Sequence, residues 1–350
     1  MSTVAASTRR QSDTRLRPLP WRRMVWVIWR QHRFALTGVV ASLSALGLAV
    51  WLVGIHLHHA YAAAAACRPE GSSFCAGLAN AFGDTDRLLS DGYVLQIVPA
   101  LVGAFLGAPL LARELESGTF RYAWTQGFGR SRWTVAKLVA LAVFVAVAAG
   151  VFSLLLSWYY HPYFAAGAGN LSFYETSPLA AGVFDLRGVA LSAWALAAFS
   201  IGCLAGVVIR RVVPAIIATL AVYTGLALAT GLFLRQRYVT SLVTSHLQLV
   251  EGPKISPLGT NWILSQGYAK AGQPVGQSAV ERFLRTAPIG GPEKGFDPTQ
   301  YLLQHGYTVL THYQPAGRFW TFQWIEGGWL LALSLLLIAV TVWLVRRRAN

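Results

Sequence analysis

Six stretches of this chain are apolar for about twenty residues each, and they decide what it can fold into. They cover 34–55, 93–111, 133–156, 186–209, 212–234 and 325–345. At 1.5 Å rise per residue, about twenty apolar residues match the ~30 Å hydrocarbon core of a bilayer. Charged residues are only 12% of the 350, against about 25% in a soluble domain. Too little polar chain remains to cover six such helices in water, so a large soluble protein is excluded. Trp51, Tyr93, Trp133, Trp158, Tyr159, Trp324 and Trp343 stand at the ends of the runs, where amphipathic rings suit the headgroup layer. The expected fold is an all-α membrane protein with six spans.

Lysine and arginine set its orientation. Eighteen fall before the first run, between the second and third (counting Lys137, just inside the third), between the fourth and fifth, and after the sixth, whereas the short loops opposite hold Arg68, Arg87 and Arg187. Positive charge in short loops marks the cytoplasm, so both ends are expected inside. Residues 235–324 carry eight more basic residues, but a segment that long crosses regardless of charge. It is expected to be a small extracytoplasmic cap, helical over part of its length, as at 278–286. The net charge of +15 is read as attraction to an anionic membrane surface, not to nucleic acid, for which no module is present. No cleavable signal peptide is expected, because the first apolar run is long enough to span. The organisation expected is a disordered basic tail (1–19), an amphipathic helix (20–33), spans one to five (34–234), the cap (235–324), and the sixth span with a basic terminus (325–350).

In the amphipathic stretch, Trp21, Met24, Val25, Ile28 and Trp29 share a face, while Arg22, Arg23, Arg30 and Arg33 lie mostly off it. That pattern suits a helix lying in the membrane interface. The spans show no ionisable residue near their middles; Asp185, Arg187 and Glu326 are placed at ends, and Lys137 within snorkelling reach of the surface. Transport driven from outside the membrane follows more naturally than proton coupling. Gly103-x-x-x-Gly107 and Gly202-x-x-x-Gly206 are candidates for close helix packing. Cys67 and Cys75 share a polar segment. A disulfide between them is open if that segment lies outside, and free thiols are the alternative. His56, His58 and His59 match no metal-ligand spacing and are read as interfacial.

The connection between the second and third spans, 112–133, carries Arg113, Glu114, Glu116, Gly118, Thr119, Arg121, Arg130 and Arg132. Gly118 suits a helix end and Ser131 a helix start. The result is a short charged elbow, which on spacing alone reads equally as a solvated loop.

The sequence ARELESGTFRYAWTQGFGRSRWTVAK over 112–137 resembles the cytoplasmic loop of type-2 ABC exporter permeases, closest to an actinobacterial branch. Trp29–Arg33, Phe184-Asp185-Leu186-Arg187-Gly188, the run from Tyr313 to Trp320, and Phe322-Gln323-Trp324-Ile325-Glu326 agree with that family too. The resemblance implies a permease in a bacterial plasma membrane that pairs with a second permease copy, alike or different. It implies a separate ABC ATPase subunit that binds ATP and Mg; this chain has no Gly-x-x-x-x-Gly-Lys-Ser/Thr loop and no cofactor or metal of its own. The eight elbow residues and the amphipathic helix would couple to the ATPase. The cargo implied is a small molecule: a drug, an antibiotic or a lipid. Two other functions fit the same residues: a signalling or immunity protein that moves nothing, and a membrane enzyme acting through the cap.

Overall fold

The computed structural model describes residues 21–68, 72–84, 93–116, 130–167, 177–244, 260–286, 301–302 and 304–347. Within these, six helices are long and apolar enough to cross a membrane: Arg33–Ala66, Val94–Glu116, Trp133–Tyr159, Gly188–Ile209, Val212–Arg237 and Ala316–Arg347. Each overlaps one of the six apolar runs. An even number of crossings leaves the starts of the first span and the ends of the sixth at one end of the bundle. That end, rich in arginine, is called the basic end; the opposite one is the sheet end.

The first helix, α1 (Trp21–Ala66), is 46 residues long and unbroken. The stretch expected as an interfacial helix is helical from Trp21 onward and runs without a break into the first span. An in-plane helix must turn sharply where it meets a span, and sharp turns need a proline, a glycine or an interrupted hydrogen-bond ladder. Neither residue type occurs between Trp21 and Arg33. Trp26, Trp29, Arg30 and Arg33 are exposed, and Arg30 lies over Trp26. The side chains of Trp21, Arg22 and Arg23 lie outside the described residues. Beyond α1, a short helix α2 (Ser73–Asp84) folds back on it, and Cys67 and Cys75 are joined by a disulfide at the turn.

The second span is assembled from pieces: a 3-10 turn (Tyr93–Gln96), α3 (Ile97–Val102), a π-helical turn (Gly103–Gly107) and α4 (Ala108–Glu116). Pro109 follows the π-turn, and its missing N–H explains why the ladder is re-spaced there. The wide turn lies against the fourth span. A Cβ on Gly103 would meet the Ala198 carbonyl oxygen at 2.5 Å, and one on Gly107 the Phe199 oxygen at 2.6 Å. From the other side, Gly202 abuts the backbone of Gly103 and Ala108, and Gly206 that of Ala108. The two glycine motifs are thus partners of each other within one chain, a seam where backbone packs on backbone.

The third and fourth spans are α5 (Arg130–Tyr159), followed by α6 (His161–Gly167), and α8 (Gly188–Ile209), preceded by the short α7 (Ala181–Phe184). The fourth is the most buried of the six and packs on the second, third, fifth and sixth. It ends at Arg210 in the left-handed region (φ 61°), whose N–H returns to the Gly206 carbonyl, and the chain turns at once into α9 (Val212–Ala229). A second π-turn, Thr230–Leu234, closes the fifth span. The sixth is α11 (Phe319–Arg347).

Between the fifth and sixth spans the structure adds what a purely helical reading did not anticipate, an antiparallel sheet. Its strands are β1 (Leu242–Thr244), β2 (Trp262–Lys270), β3 (Gln273–Val275) and β4 (Tyr307–Gln314), in the order β1-β4-β2-β3. Helix α10 (Gln277–Arg285) covers it, matching the helical pattern at 278–286. Val280, Leu302 and Tyr307 form its small core. The sheet is fixed to the bundle through buried Gln314, which donates to the Val239 carbonyl (2.6 Å) and accepts from Arg318 (2.6 Å). Trp262 and Tyr238 pack on Phe322 of the sixth span.

Candidate functional site

Two clusters of polar side chains hold the bundle, one at each end. At the basic end the second span finishes in Glu114 and Glu116. Glu114 accepts from Lys137 Nζ of the third span (2.5 Å) and from Gln31 Nε2 of α1 (3.2 Å). Lys137 is 1% exposed; it turns inward to this pair instead of reaching for the surface, since a buried ammonium is far better paired than alone. Glu116 Oε2 accepts the Val212 backbone N–H (3.1 Å). Val212 opens the fifth span, so a carboxylate from another helix fills the role an N-cap side chain has, and its charge suits the positive end of the helix dipole. The elbow's root thus touches the first, third and fifth spans.

Arg113 is exposed on the same turn. Gly118, Thr119 and Arg121 lie outside the described residues. Arg130 and Arg132 open the third-span helix, and their side chains lie outside the description. The structure therefore brings Glu114 and Glu116 together with Lys137 and Gln31, two partners the sequence reading did not assign. The helical register of Lys137, one turn inside Trp133, was the available signal.

At the sheet end a more deeply buried cluster joins the fourth, fifth and sixth spans. Arg235 sits where the π-turn delivers it, fully buried. Its Nε and Nη2 bond the two oxygens of Glu326 at 3.0 and 2.9 Å, and Nη2 also bonds Asp185. Such fork-to-carboxylate pairing is the strong geometry for arginine. The sequence reading had placed Arg235 in an external loop and treated Asp185 and Glu326 as separate helix-end residues. Here they are one site. The signals were a carboxylate set in the apolar run after Trp324 and an arginine immediately following a span.

Two segments singled out by resemblance build this cluster. In Phe184–Gly188, the Phe184 carbonyl accepts from Gln323 Nε2 (3.1 Å), Asp185 meets Arg235, and Arg187 lies over Phe164 and Phe319 at 4.3 and 5.0 Å. Gly188 has φ +62°, and a Cβ on it would fall 2.7 Å from Gln323 Oε1; only glycine meets both demands. Gln323 Oε1 in turn accepts the Ala190 N–H (2.8 Å). In Phe322–Glu326, Phe322, Gln323 and Glu326 are all fully buried.

Burial pushes the Asp185 carboxyl well above the usual carboxylate range; Glu326 adds to the push, while Arg235 opposes it. Burial also lowers Arg187 to about 10. Elsewhere at this end, His58 stacks on Trp158 (4.5 Å) and bonds its carbonyl (3.0 Å), which gives that histidine a packing role. The grouping contains no acid–base or nucleophile arrangement with the geometry of a reaction centre. It suits holding the fourth, fifth and sixth spans together.

A family model described as "ABC-2 membrane transporter related" matches residues 40–235, a stretch that contains the elbow, the glycine seam, Asp185 and Arg235. No curated protein and no solved structure matches the chain.

Proposed function

Because the chain belongs to the ABC-2 membrane-transporter-related family, as a multi-pass transport permease, we propose that it is driven by a separate ABC ATPase docked at its basic end and exports a small molecule. The arginine-rich end then faces the cytoplasm of a bacterial cell, by the distribution of short-loop charge. A second permease copy completes the pathway. ATP and Mg stay on the ATPase.

One observation carries this reading. The elbow is rooted in Glu114 and Glu116, whose partners are on the first, third and fifth spans. A push on the elbow is felt by two other helices, the first and fifth spans, besides its own two, as a rigid-body switch requires. For that push to do work, ATP binding must favour one arrangement of the spans over the other.

The test is co-purification of the chain with the ATPase encoded beside it, comparing wild type with Glu114→Lys and with Arg121→Glu. The reading expects weakened capture and lost cargo-stimulated ATP turnover in proteoliposomes. Wild-type capture and turnover by both variants would overturn it. Orientation is tested with a cysteine at position 118 and a membrane-impermeant thiol reagent. Labelling from outside intact cells contradicts the assignment.

A further inference from the structure

Within the sheet-end cluster, the two carboxylates are not equivalent. Glu326 is saturated: Oε1 accepts from Arg235 Nη2 and Trp194 Nε1 (both 2.9 Å), and Oε2 from Arg235 Nε (3.0 Å) and the Tyr238 hydroxyl (3.2 Å). Glu326 and Arg235 therefore make a closed, neutral pair. Asp185 is a second carboxyl group on the same guanidinium. Its Oδ1 shares Arg235 Nη2 with Glu326, and its Oδ2 has only Gln96 Nε2, at 3.5 Å. That distance is beyond a good N–H···O bond. Arg187 is turned away over Phe164 and Phe319. Asp185 has a shared cation only, and its burial favours the protonated carboxyl unless a second cation comes to it.

The Asp185 carboxyl borders a small cavity between the second, fourth and fifth spans, walled also by Gln96, Trp194, Tyr223 and Ala227. It has room for a few water-sized groups. The Tyr223 hydroxyl belongs to a side chain more than nine-tenths buried and has no hydrogen-bond partner among the described residues. Its ring meets Trp194 edge to face at 5.6 Å. A carboxylate, a free hydroxyl, an amide and two aromatic walls around a compact void form the chemistry that recognises an ammonium group, which bonds the oxygens and is attracted to the rings. The orphaned Arg235 Nη1 does not alter the charge balance, and its guanidinium rests over Phe184 at 4.4 Å.

We propose that this cavity binds one small primary or secondary ammonium group, paired with Asp185 and walled by Trp194 and Tyr223. The proposal goes beyond the transport reading and does not depend on ATPase docking. The aromatic walls favour an organic ammonium over sodium, whose hydration they cannot replace. The size of the cavity excludes a quaternary ammonium.

The experiment uses the purified full chain in lipid nanodiscs and follows thermal unfolding. Ethylammonium chloride is titrated against sodium chloride at equal ionic strength, with tetramethylammonium as the size control. The expected result is a saturable rise in the unfolding midpoint with ethylammonium alone. Asp185→Asn should weaken the apparent affinity at least tenfold. Ala227→Leu, which fills the cavity and leaves all three charged groups in place, should do the same, and it decides the matter if Asp185→Asn fails to fold. No saturable shift in wild type, or an unchanged shift in Ala227→Leu, overturns the proposal. So does a response to pH with none to the amine, since Asp185 would then take only a proton.

Discussion

At the sheet end, Arg235 and Glu326 expose 1% and 0% of their side chains and share two bonds. At the basic end, Glu114 is 23% exposed and holds Lys137 through one oxygen. Both clusters join helices far apart in sequence, yet they are built for opposite behaviour. A buried fork pair surrounded by Trp194, Tyr238 and Gln323 breaks only at a high cost in uncompensated charge. At the basic end the Glu114 carboxylate is partly wet and can be replaced by water or by a partner's side chain, provided the buried Lys137 ammonium keeps an acceptor. The bundle is fastened most firmly where the sheet sits and less firmly at the basic end, the proposed docking end.

The comparison breaks most visibly at Glu326. Glu326→Ala leaves Arg235 buried and unpaired, and should lose roughly 3–5 kcal/mol of stability, read as the midpoint of SDS-induced unfolding. Glu114→Ala leaves the buried Lys137 ammonium with the Leu110 carbonyl at 3.4 Å and should lose less, about 1.5–3 kcal/mol, in the same assay. Equal losses would mean that the two ends are fastened alike.

Between the ends lies the glycine seam. Gly202→Val puts a branched side chain against the backbone of the second span and should cost about 1–3 kcal/mol by overpacking. The same change at Gly225, where a Cβ meets nothing within 4 Å, should be nearly neutral to packing. A neutral Gly202→Val would show that the seam opens without cost.

A smaller effect is expected from pH. The native state holds a proton on Asp185 more tightly than the unfolded chain does. Stability is therefore present below the unfolded carboxylate value and is lost as pH rises through the raised native one. In Asp185→Asn that slope should vanish, while the basic-end pair, unchanged, contributes no difference between the two proteins. A slope that persists in the variant would assign it elsewhere.

The smallest effect belongs to Glu116. Glu116→Ala should cost about 1 kcal/mol as a lost cap, seen as faster hydrogen exchange at the Val212 amide. Unchanged exchange there would detach the elbow from the fifth span.

How much of this could be read in the sequence follows from the range of the forces involved. The spans announce themselves because each needs only its own twenty residues to be apolar. The glycine motifs were legible as packing surfaces, but not that they face each other, which requires knowing that the second and fourth spans are neighbours. Arg235 escaped because burial of an arginine depends on two carboxylates distant in sequence, and the π-turn that aims it leaves no residue signature. The sheet was missed because β1 and β3 are three residues long. The apolar side of β2 is also interrupted at Ser265-Gln266-Gly267. The interfacial helix was expected from a face of tryptophan and isoleucine that a continuous helix carries equally well.

The unbroken first helix has a mechanical consequence. Trp158 rests directly on the backbone of Gly54, where even a methyl group would come within 2.5 Å of the indole. From that point to Gln31, where the elbow's carboxylate holds on, is about 35 Å of helix; to Ala66, beside the disulfide-closed turn, it is about 18 Å. Because no break interrupts the helix, a displacement imposed at its elbow end has to be carried through this contact toward the disulfide-closed turn.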